Sequence, residues 1–287
     1  MAYKRTKRRR GRRGRKDKNE RRRGRRRGGL ITKILISGNF TIDILNDKEQ
    51  LGGPPLYSGY AIYKLGGEPY IYSIIGKDFN FKIPTFLKIF AIVKDENTTR
   101  FEHQLKGQQR NLILLSRPKG KIKLNLVDNR FSGIIINPVC QEIDLSYMPQ
   151  IPIALDIQGF IRDCSEGEKI KYKKAVLPSS NSYLVFHSNI EEFESSGLTI
   201  EQLYNLGFKE LLISYNEEGF ELYTREGSRF LKTTNVGTYK TGTGDILLAS
   251  YFFYRINGLD PYTSSLKSKK VVEDFSNSDY QELLQLM

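Results

Sequence analysis

The stretch TYKTGTGDILLAS, residues 238–250, places two glycines and an aspartate directly before an apolar run. The apolar run predicts a helix, and Gly242 and Gly244 allow the backbone before it to take positive φ angles and to approach a ligand closely. Free backbone amides at the amino end of such a helix favour a bound anion. Asp245 then has two interpretations: it caps the helix and offsets the helix dipole, or it is a base that removes a proton beside a bound phosphate.

Short apolar runs separated by helical patterns make up most of the remaining chain and predict buried strands. The apolar runs cover residues 31–40, 69–76, 132–139, 151–159, 181–189 and 208–216, and the helical patterns cover residues 59–67, 190–207 and 244–259. Strands that are buried on both faces and separated by helices predict a three-layer α/β domain with a mostly parallel central sheet. Ligands bind such sheets at the carboxyl ends of the strands, where the turn before Asp245 is expected to lie.

Two segments do not fit the buried sheet. Residues 98–105 and 109–116 alternate apolar with polar side chains around a turn at Gly107, which predicts an antiparallel pair that faces solvent on one side. We assign this pair, near residues 98–116, to a small β lid over one end of the domain. The tail from Asp260 is expected to be short, with one last helix within residues 272–286.

Positive charge is concentrated at the start of the chain. Residues 1–29 hold 17 of the 46 Lys and Arg residues and two of the 32 acids, so residues 30–287 are close to neutral. This arm is predicted to be disordered, because it has too few apolar side chains to offset the entropy of ordering. It is either a tail that contacts nucleic-acid phosphates, or an artificial or misassigned extension with the true start at Leu30.

The apolar runs and the cysteines bear on the cellular compartment. No apolar run approaches the roughly 18 residues of a membrane span, so the sequence predicts a soluble, cytoplasmic protein with no membrane partner. Cys140 and Cys164 are too few and too isolated to indicate a disulfide framework or a zinc site, and we expect both to be free thiols.

Several motifs occur together in a characteristic order. They are GNFTID (38–43), LGGPPLYSGYAIYKLGG (51–67), NIEE (189–192), LLISYNEEG (211–219) and TGTGD (241–245). Over about residues 31–260, this order resembles the ribokinase-like (PfkB) carbohydrate kinase family, and LDIQGFIR (155–162) is similar to archaeal inositol kinase members. The resemblance implies that residues 30–287 form a kinase domain that uses ATP and Mg²⁺ to phosphorylate a small polyol or sugar.

The resemblance also implies roles for single residues. Asp245 would be the base, and the amides of Gly242, Thr243 and Gly244 would form the anion hole for the transferred phosphoryl group. On the acceptor side, the residues implied to bind substrate are Asp43, Gly52, Gly53 and Tyr57. On the donor side, the residues implied to bind nucleotide are Asn189, Ser214 and Gly219, with Glu192 acting indirectly on magnesium.

The sequence departs from the family pattern at three places. Tyr239, Lys240 and Thr241 replace the usual Asp-Thr-Thr, so the phosphate loop loses an acid and gains a base. Lys240 either contacts a phosphate or is solvated. Asn216 stands where a glycine is common, and Tyr57 either stacks on a ring of the acceptor or fills the pocket wall.

These departures leave alternatives open. Tyr57 and Phe40 favour a nucleoside kinase as the second enzyme candidate. Residues 216 and 239 favour a catalytically weakened sensor or a nucleic-acid binder acting through the arm. His103 and His187 are interpreted as hydrogen-bonded polar residues, and Asp156 is expected to lie against a neighbouring amide. Arg162 either contacts phosphate or lies on the surface. The protein is expected to be a monomer or a homodimer.

Overall fold

A nine-stranded sheet forms the centre of the folded unit, residues 32–287, in a computed structural model that describes residues 1, 31–106 and 109–287. The strands are β1 (Lys33–Ser37), β2 (Thr41–Leu45), β3 (Lys48–Gly52), β4 (Glu68–Gly76), β5 (Lys88–Asp95), β6 (Thr99–Lys106), β7 (Gln109–Ser116), β8 (Ile122–Lys123), β9 (Gly133–Ile136), β10 (Ile143–Asp144), β11 (Ile153–Asp156), β12 (Arg162–Asp163), β13 (Lys171–Tyr172), β14 (Tyr183–Asn189), β15 (Glu210–Ser214), β16 (Gly219–Thr224) and β17 (Gly227–Lys232). The helices are α1 (Pro54–Lys64), α2 (Gln158–Ile161), α3 (Ile190–Ser196), α4 (Ile200–Leu206), α5 (Thr243–Ile256), α6 (Pro261–Asp274) and α7 (Tyr280–Leu286).

The central sheet has the order β17-β16-β15-β14-β11-β9-β1-β4-β5. Every neighbouring pair from β15 to β5 is parallel, and only β16 and β17 join in antiparallel register. This arrangement confirms the predicted mostly parallel α/β sheet.

Both faces of the sheet are covered, because side chains alternate between them. On the face toward α1 and α5, the buried strand residues include Ile34, Ile36, Ile135, Ala154, Val185 and Leu212. On the opposite face they include Leu35, Ile134, Ile136, Leu155, Phe186 and Leu211. The continuous apolar runs of the sequence therefore reflect burial on two sides, as expected of parallel strands.

A second sheet has four strands in the order β3-β2-β6-β7 and forms the lid. The predicted antiparallel pair is confirmed as β6 and β7, whereas its Gly107 turn lies outside the described residues. The sequence interpretation missed β2 and β3, because it extended the first strand to residue 40. That strand ends at Ser37, and a tight hairpin follows in which Asn46 and Asp47 both have positive φ, 50° and 58°.

The helices differ from the expectations mainly at the carboxyl end. The 190–207 pattern is confirmed as α3 and α4, separated by Gly197 with φ of 70°. The expected short tail was wrong, because α6 spans 14 residues after an Asp260 cap whose carboxylate accepts the Thr263 amide at 2.9 Å. Its buried face consists of small polar residues, which gives little apolar periodicity: Ser264, Ser265 and Ser268.

The expectation of two free thiols was also wrong. Cys140 and Cys164 form a disulfide with a Cα–Cα distance of 5.9 Å, although 24 positions separate them in the sequence. Both lie in a small buried cluster with Phe101, Leu114 and Val139. A pair of distant cysteines carries no signal of this proximity, which comes from the fold. Apart from residue 1, the basic arm, residues 1–29, lies outside the described residues. Within the described part no helix is long and apolar enough to cross a bilayer.

The disulfide gives a prediction about stability. A bridge across this sequence separation should stabilise the folded state by about 3 kcal/mol, mainly by restricting the unfolded chain. We expect the Cys140→Ser/Cys164→Ser variant to unfold at lower urea concentration than the oxidised protein, and reductant to lower the midpoint of the wild type only. Thiol titration of the denatured, unreduced wild type should find no free thiol, and two titratable thiols would contradict the bridge.

Candidate active site

Three polar side chains lie in a row at the carboxyl ends of adjacent strands. Ile136 of β9 pairs with Leu155 of β11, and Asp156 pairs with His187 of β14, so Asn137, Asp156 and His187 are neighbours. Asn137, Asp156 and His187 stand two positions after Ile135, Ala154 and Val185, which pack toward α5. Because side chains alternate along a strand, the three polar side chains lie on that same face of the sheet. All three are buried, with at most 3% of each residue exposed. The parallel register therefore brings an amide, a carboxyl and an imidazole together beside the start of α5.

The glycine turn forms the start of α5. Gly242 is the residue before the helix, with φ of 80°, and a Cβ there would overlap the Tyr57 ring. The amide of Thr243 bonds to the Lys240 carbonyl at 3.4 Å, and the amide of Ile246 bonds to the Gly242 carbonyl at 2.9 Å. Between them, the amides of Gly244 and Asp245 belong to the first turn, where backbone amides have no acceptor within the helix. This geometry suits a bound anion.

Asp245 is held by a side chain from the polar row. The Asn137 amide donates to Asp245 Oδ1 at 2.6 Å, and Gln158 donates in turn to Asn137 Oδ1 at 2.8 Å. The helix has no side-chain cap, so Asp245 is oriented across the sheet edge rather than as a capping residue. Burial raises the pKa of Asp245 to about 7; the charge of Asp156 also raises it, while the Asn137 bond, His187 and Arg162 lower it.

His187 and Asp156 form a buried pair. His187 Nδ1 lies 2.6 Å from Asp156 Oδ2, and Asp156 Oδ1 accepts the Gln158 backbone amide at 2.9 Å, which confirms the expected amide contact of Asp156. Burial alone would lower the pKa of His187, but the adjacent Asp156 carboxylate raises it above its ordinary value. A Cβ on Gly244 would lie 3.0 Å from His187 Cε1, so the imidazole packs directly under the glycine turn.

Arg162 is partly buried between the lid and α3. Its guanidinium lies 5.8 Å from the centre of the Phe101 ring of β6, and its Nη1 donates to the Val139 carbonyl at 3.2 Å. Its Nη2 is 3.8 Å from Glu192 Oε1. Burial raises the pKa of Glu192 to about 7, although the positive charge of Arg162 lowers it. Arg162 is therefore a buried link rather than a surface residue.

Asn189 and Glu192 make a reciprocal cap at the start of α3. Asn189 Oδ1 accepts the Glu192 amide at 2.8 Å, and Glu192 Oε2 accepts the Asn189 amide at 3.4 Å. The Glu192 carboxyl is thus engaged by the helix and by Arg162. Among the residues that the structure describes, no cluster of His, Cys, Asp and Glu could hold a metal ion. As placed, these side chains do not fit a protein-held magnesium.

The predicted nucleotide side lies next along the sheet. Ser214 ends β15 opposite Asn189, and its hydroxyl donates to the Ser188 carbonyl at 3.4 Å. Asn216 has φ of 47°, so it adopts in this turn the left-handed conformation that a glycine would favour. Gly219 has φ of 138°, and a Cβ there would overlap the Leu231 carbonyl of β17.

Lys240 lies in the loop before the glycine turn. It forms an ion pair with Glu217 of the turn between β15 and β16, and both side chains are more than half exposed. The two interpretations left open by the sequence, a phosphate contact and a solvated side chain, did not include this carboxylate partner.

The predicted acceptor residues meet near the lid. Asp43 lies on β2 with 5% exposure, and a Cβ on Gly52 would overlap its carboxylate. Gly53 has φ of 92° directly before α1. His103 Nε2 is 3.7 Å from Asp43 Oδ1.

Tyr57 lies in the wall between the acceptor residues and the glycine turn. It is 2% exposed, its hydroxyl is 3.1 Å from that of Tyr239, and its ring meets Phe275 edge-on. It therefore fills the wall in this structure. Sequence reasoning missed Asn137 and Gln158; the only available signal was their position at strand ends.

Comparison with known proteins supports the fold. No protein-family model matches the chain, and no curated protein is similar to it in sequence. A solved variant of a pyrophosphate-dependent myo-inositol kinase has a TM-score of 0.72 and 16% identity, covering 88% of this chain and 97% of that chain. A sulfate complex of a pyrophosphate-dependent kinase in the ribokinase family has a TM-score of 0.68 and 16% identity, covering 88% and 100%. Arabidopsis thaliana ribokinase with ribose and ATP has a TM-score of 0.59 and 14% identity, covering 90% and 99%. The chain has the ribokinase-like fold.

Proposed function

We propose that this protein transfers a phosphoryl group from a phosphoanhydride donor to a hydroxyl of a small polyol or sugar. The observation that carries the proposal is the half-buried Asp245 carboxyl, held by Asn137 at 2.6 Å and placed in the first turn of α5 beside the glycine turn. Its pKa of about 7 suits a general base at neutral pH. The kinases that share the fold support the same class of reaction.

The proposed mechanism uses residues at the two sides of the acceptor pocket. Asp43 holds hydroxyls of the acceptor from the lid, with Gly52 and Gly53 lining the pocket. Asp245 takes the proton of the attacking hydroxyl as its oxygen bonds to phosphorus and the bond from phosphorus to the leaving phosphate breaks. The amides of Gly242, Thr243 and Gly244 stabilise the negative charge on the transferred group, with the Thr243 amide exchanging its 3.4 Å bond to the Lys240 carbonyl for the phosphoryl oxygen. Because Asn137 occupies Oδ1 of Asp245, Oδ2 is the oxygen left to accept the proton.

The donor is ATP in the prediction from sequence, with Asn189, Ser214 and Gly219 as its contacts. Pyrophosphate is the competing donor, because two of the solved structures with the same fold are of pyrophosphate-dependent kinases. Magnesium, if it accompanies the donor, would neutralise phosphate charge. Glu192, the acid that the sequence associates with magnesium, is already engaged by α3 and Arg162.

The burial of Tyr57 favours a polyol or sugar over a nucleoside. The nucleoside alternative depends on a ring contact with this side chain or with Phe40, and these residues are 2% and 0% exposed. The Tyr57 hydroxyl and ring are already committed to Tyr239 and Phe275. An acceptor ring would have to displace these contacts before it could stack on Tyr57.

The base assignment is tested by Asp245→Asn. We expect turnover to fall by at least about 100-fold, the usual contribution of a general base, in assays that pair ATP or pyrophosphate with inositol, pentoses, hexoses and nucleosides. Asp128→Asn is the matched control, because Asp128 is exposed and pairs with Arg130. Retention of most of the turnover by Asp245→Asn would contradict the base assignment, and no turnover in the wild type with any pair would contradict the proposed function.

The bond from Asn137 gives a prediction about pH. Because this bond lowers the pKa of Asp245, Asn137→Ala should raise that pKa. The ionised base is present only above its pKa, so the acidic limb of the kcat/KM profile should move to higher pH in the variant. Rates of wild type and Asn137→Ala measured between pH 5 and 9 check this, and a lower rate with an unmoved limb would show that Asn137 has no electrostatic effect on Asp245.

A further inference from the structure

Three carboxyl groups and two basic side chains lie around the start of α5. Asp156 and Glu192 are buried and Asp245 is half-buried, while His187 and Arg162 supply the basic groups. Burying an ionised carboxyl is costly unless an opposite charge or hydrogen bonds compensate it. The balance of charge in this cluster therefore decides which carboxyls are ionised.

His187 occupies a central position in the cluster. Its Nδ1 is 2.6 Å from Asp156 Oδ2, and its ring edge lies under Gly244, the residue directly before Asp245. Its Nε2 is buried and has no hydrogen-bond partner among the residues that the structure describes. The ring is thus held by Asp156 on one side and supports the glycine turn on another.

Every element packed around Asp245 contributes a defined group. Asp156 comes from β11, Arg162 from β12 and His187 from β14, while the neutral Asn137 follows β9. From α1, the Ser58 hydroxyl donates to the backbone carbonyl of Asp245 at 3.3 Å. Arg162 shares its charge with Glu192 of α3 at 3.8 Å. His187 is therefore the cation that directly offsets Asp156, the carboxyl that opposes ionisation of Asp245.

We propose that His187 is a positioning residue: held by Asp156, its imidazolium supports the glycine turn and keeps Asp245 ionised as a base. This inference rests on the proposed function above. The role is distinct from proton transfer, because His187 acts through packing against the turn and through its charge near Asp245.

The test is a direct titration of the Asp245 carboxyl in the full chain. Protein labelled with ¹³Cγ-aspartate is titrated between pH 4 and 10 by NMR, and the Asp245 signal is the one missing from Asp245→Asn. His187→Gln keeps an amide donor for Asp156 but removes the charge, so the Asp245 midpoint should rise by about one pH unit or more. His187→Gln/Asp156→Asn removes both charges and should return the midpoint to the wild-type value or below.

Arg130→Gln is the matched control, because it removes an exposed cation that pairs with Asp128. It should leave the Asp245 midpoint unchanged. An unmoved midpoint in His187→Gln would overturn the proposal, as would a raised midpoint that persists in the double variant. If His187→Gln does not fold, titration of the ¹³C-labelled His187 ring in the wild-type protein serves instead: His187 should stay protonated through the Asp245 midpoint, and loss of its proton below that midpoint would overturn the proposal.

The kinetic readout separates this inference from the proposed function. At a pH below the Asp245 midpoint, kcat/KM of His187→Gln should fall about tenfold for each unit of upward shift, and the double variant should recover this loss. Wild-type turnover with an unmoved Asp245 midpoint in His187→Gln contradicts the positioning role alone. A shifted midpoint in a protein that phosphorylates no acceptor contradicts the proposed function while the electrostatic effect of His187 stands.

Discussion

The site depends on a half-buried carboxyl group of which one oxygen is hydrogen-bonded and the other is left for a proton. Asp245 loses its hydration at the start of α5, and the 2.6 Å bond from Asn137 replaces part of it. A buried acid without such a bond would simply stay protonated. The rest of the site follows from this constraint, because each further charge near Asp245 must be offset by another: Asp156 by His187, and Glu192 by Arg162.

The parallel sheet places these polar partners at its carboxyl edge, where they displace no apolar side chain from its core. Ile135, Ala154 and Val185 pack against α5, and alternation turns the residues two positions later toward the same helix. At that point the strands end, so polar side chains replace apolar ones just where α5 begins. The same geometry explains why the site lies at the carboxyl edge of the sheet: only there do strand ends and a helix amino terminus converge.

The sequence predicted the parts of the fold that depend on local pattern. The apolar runs gave six of the nine strands of the central sheet, all except β5, β16 and β17, and the alternating segments gave β6 and β7, since periodicity reports burial directly. It did not predict α6, whose buried face is made of serines, or the Cys140–Cys164 bridge, which depends on loops brought together by the fold. The motif around Asp245 indicated the turn, but the Asn137 bond required knowledge of strand register.

The lid is joined to the site by the segment that follows α2. The amide of Ile170 donates to the Leu112 carbonyl at 2.8 Å and the amide of Leu114 donates to the Glu168 carbonyl at 3.1 Å, so this segment covers the edge of β7. The same segment begins with Arg162 and contains Cys164, which is bridged to the loop after β9. An uncovered edge strand would invite pairing with another chain. The segment that covers the edge of β7 also carries Arg162, which contacts Glu192. The position of the lid is therefore linked to the charge balance around Asp245.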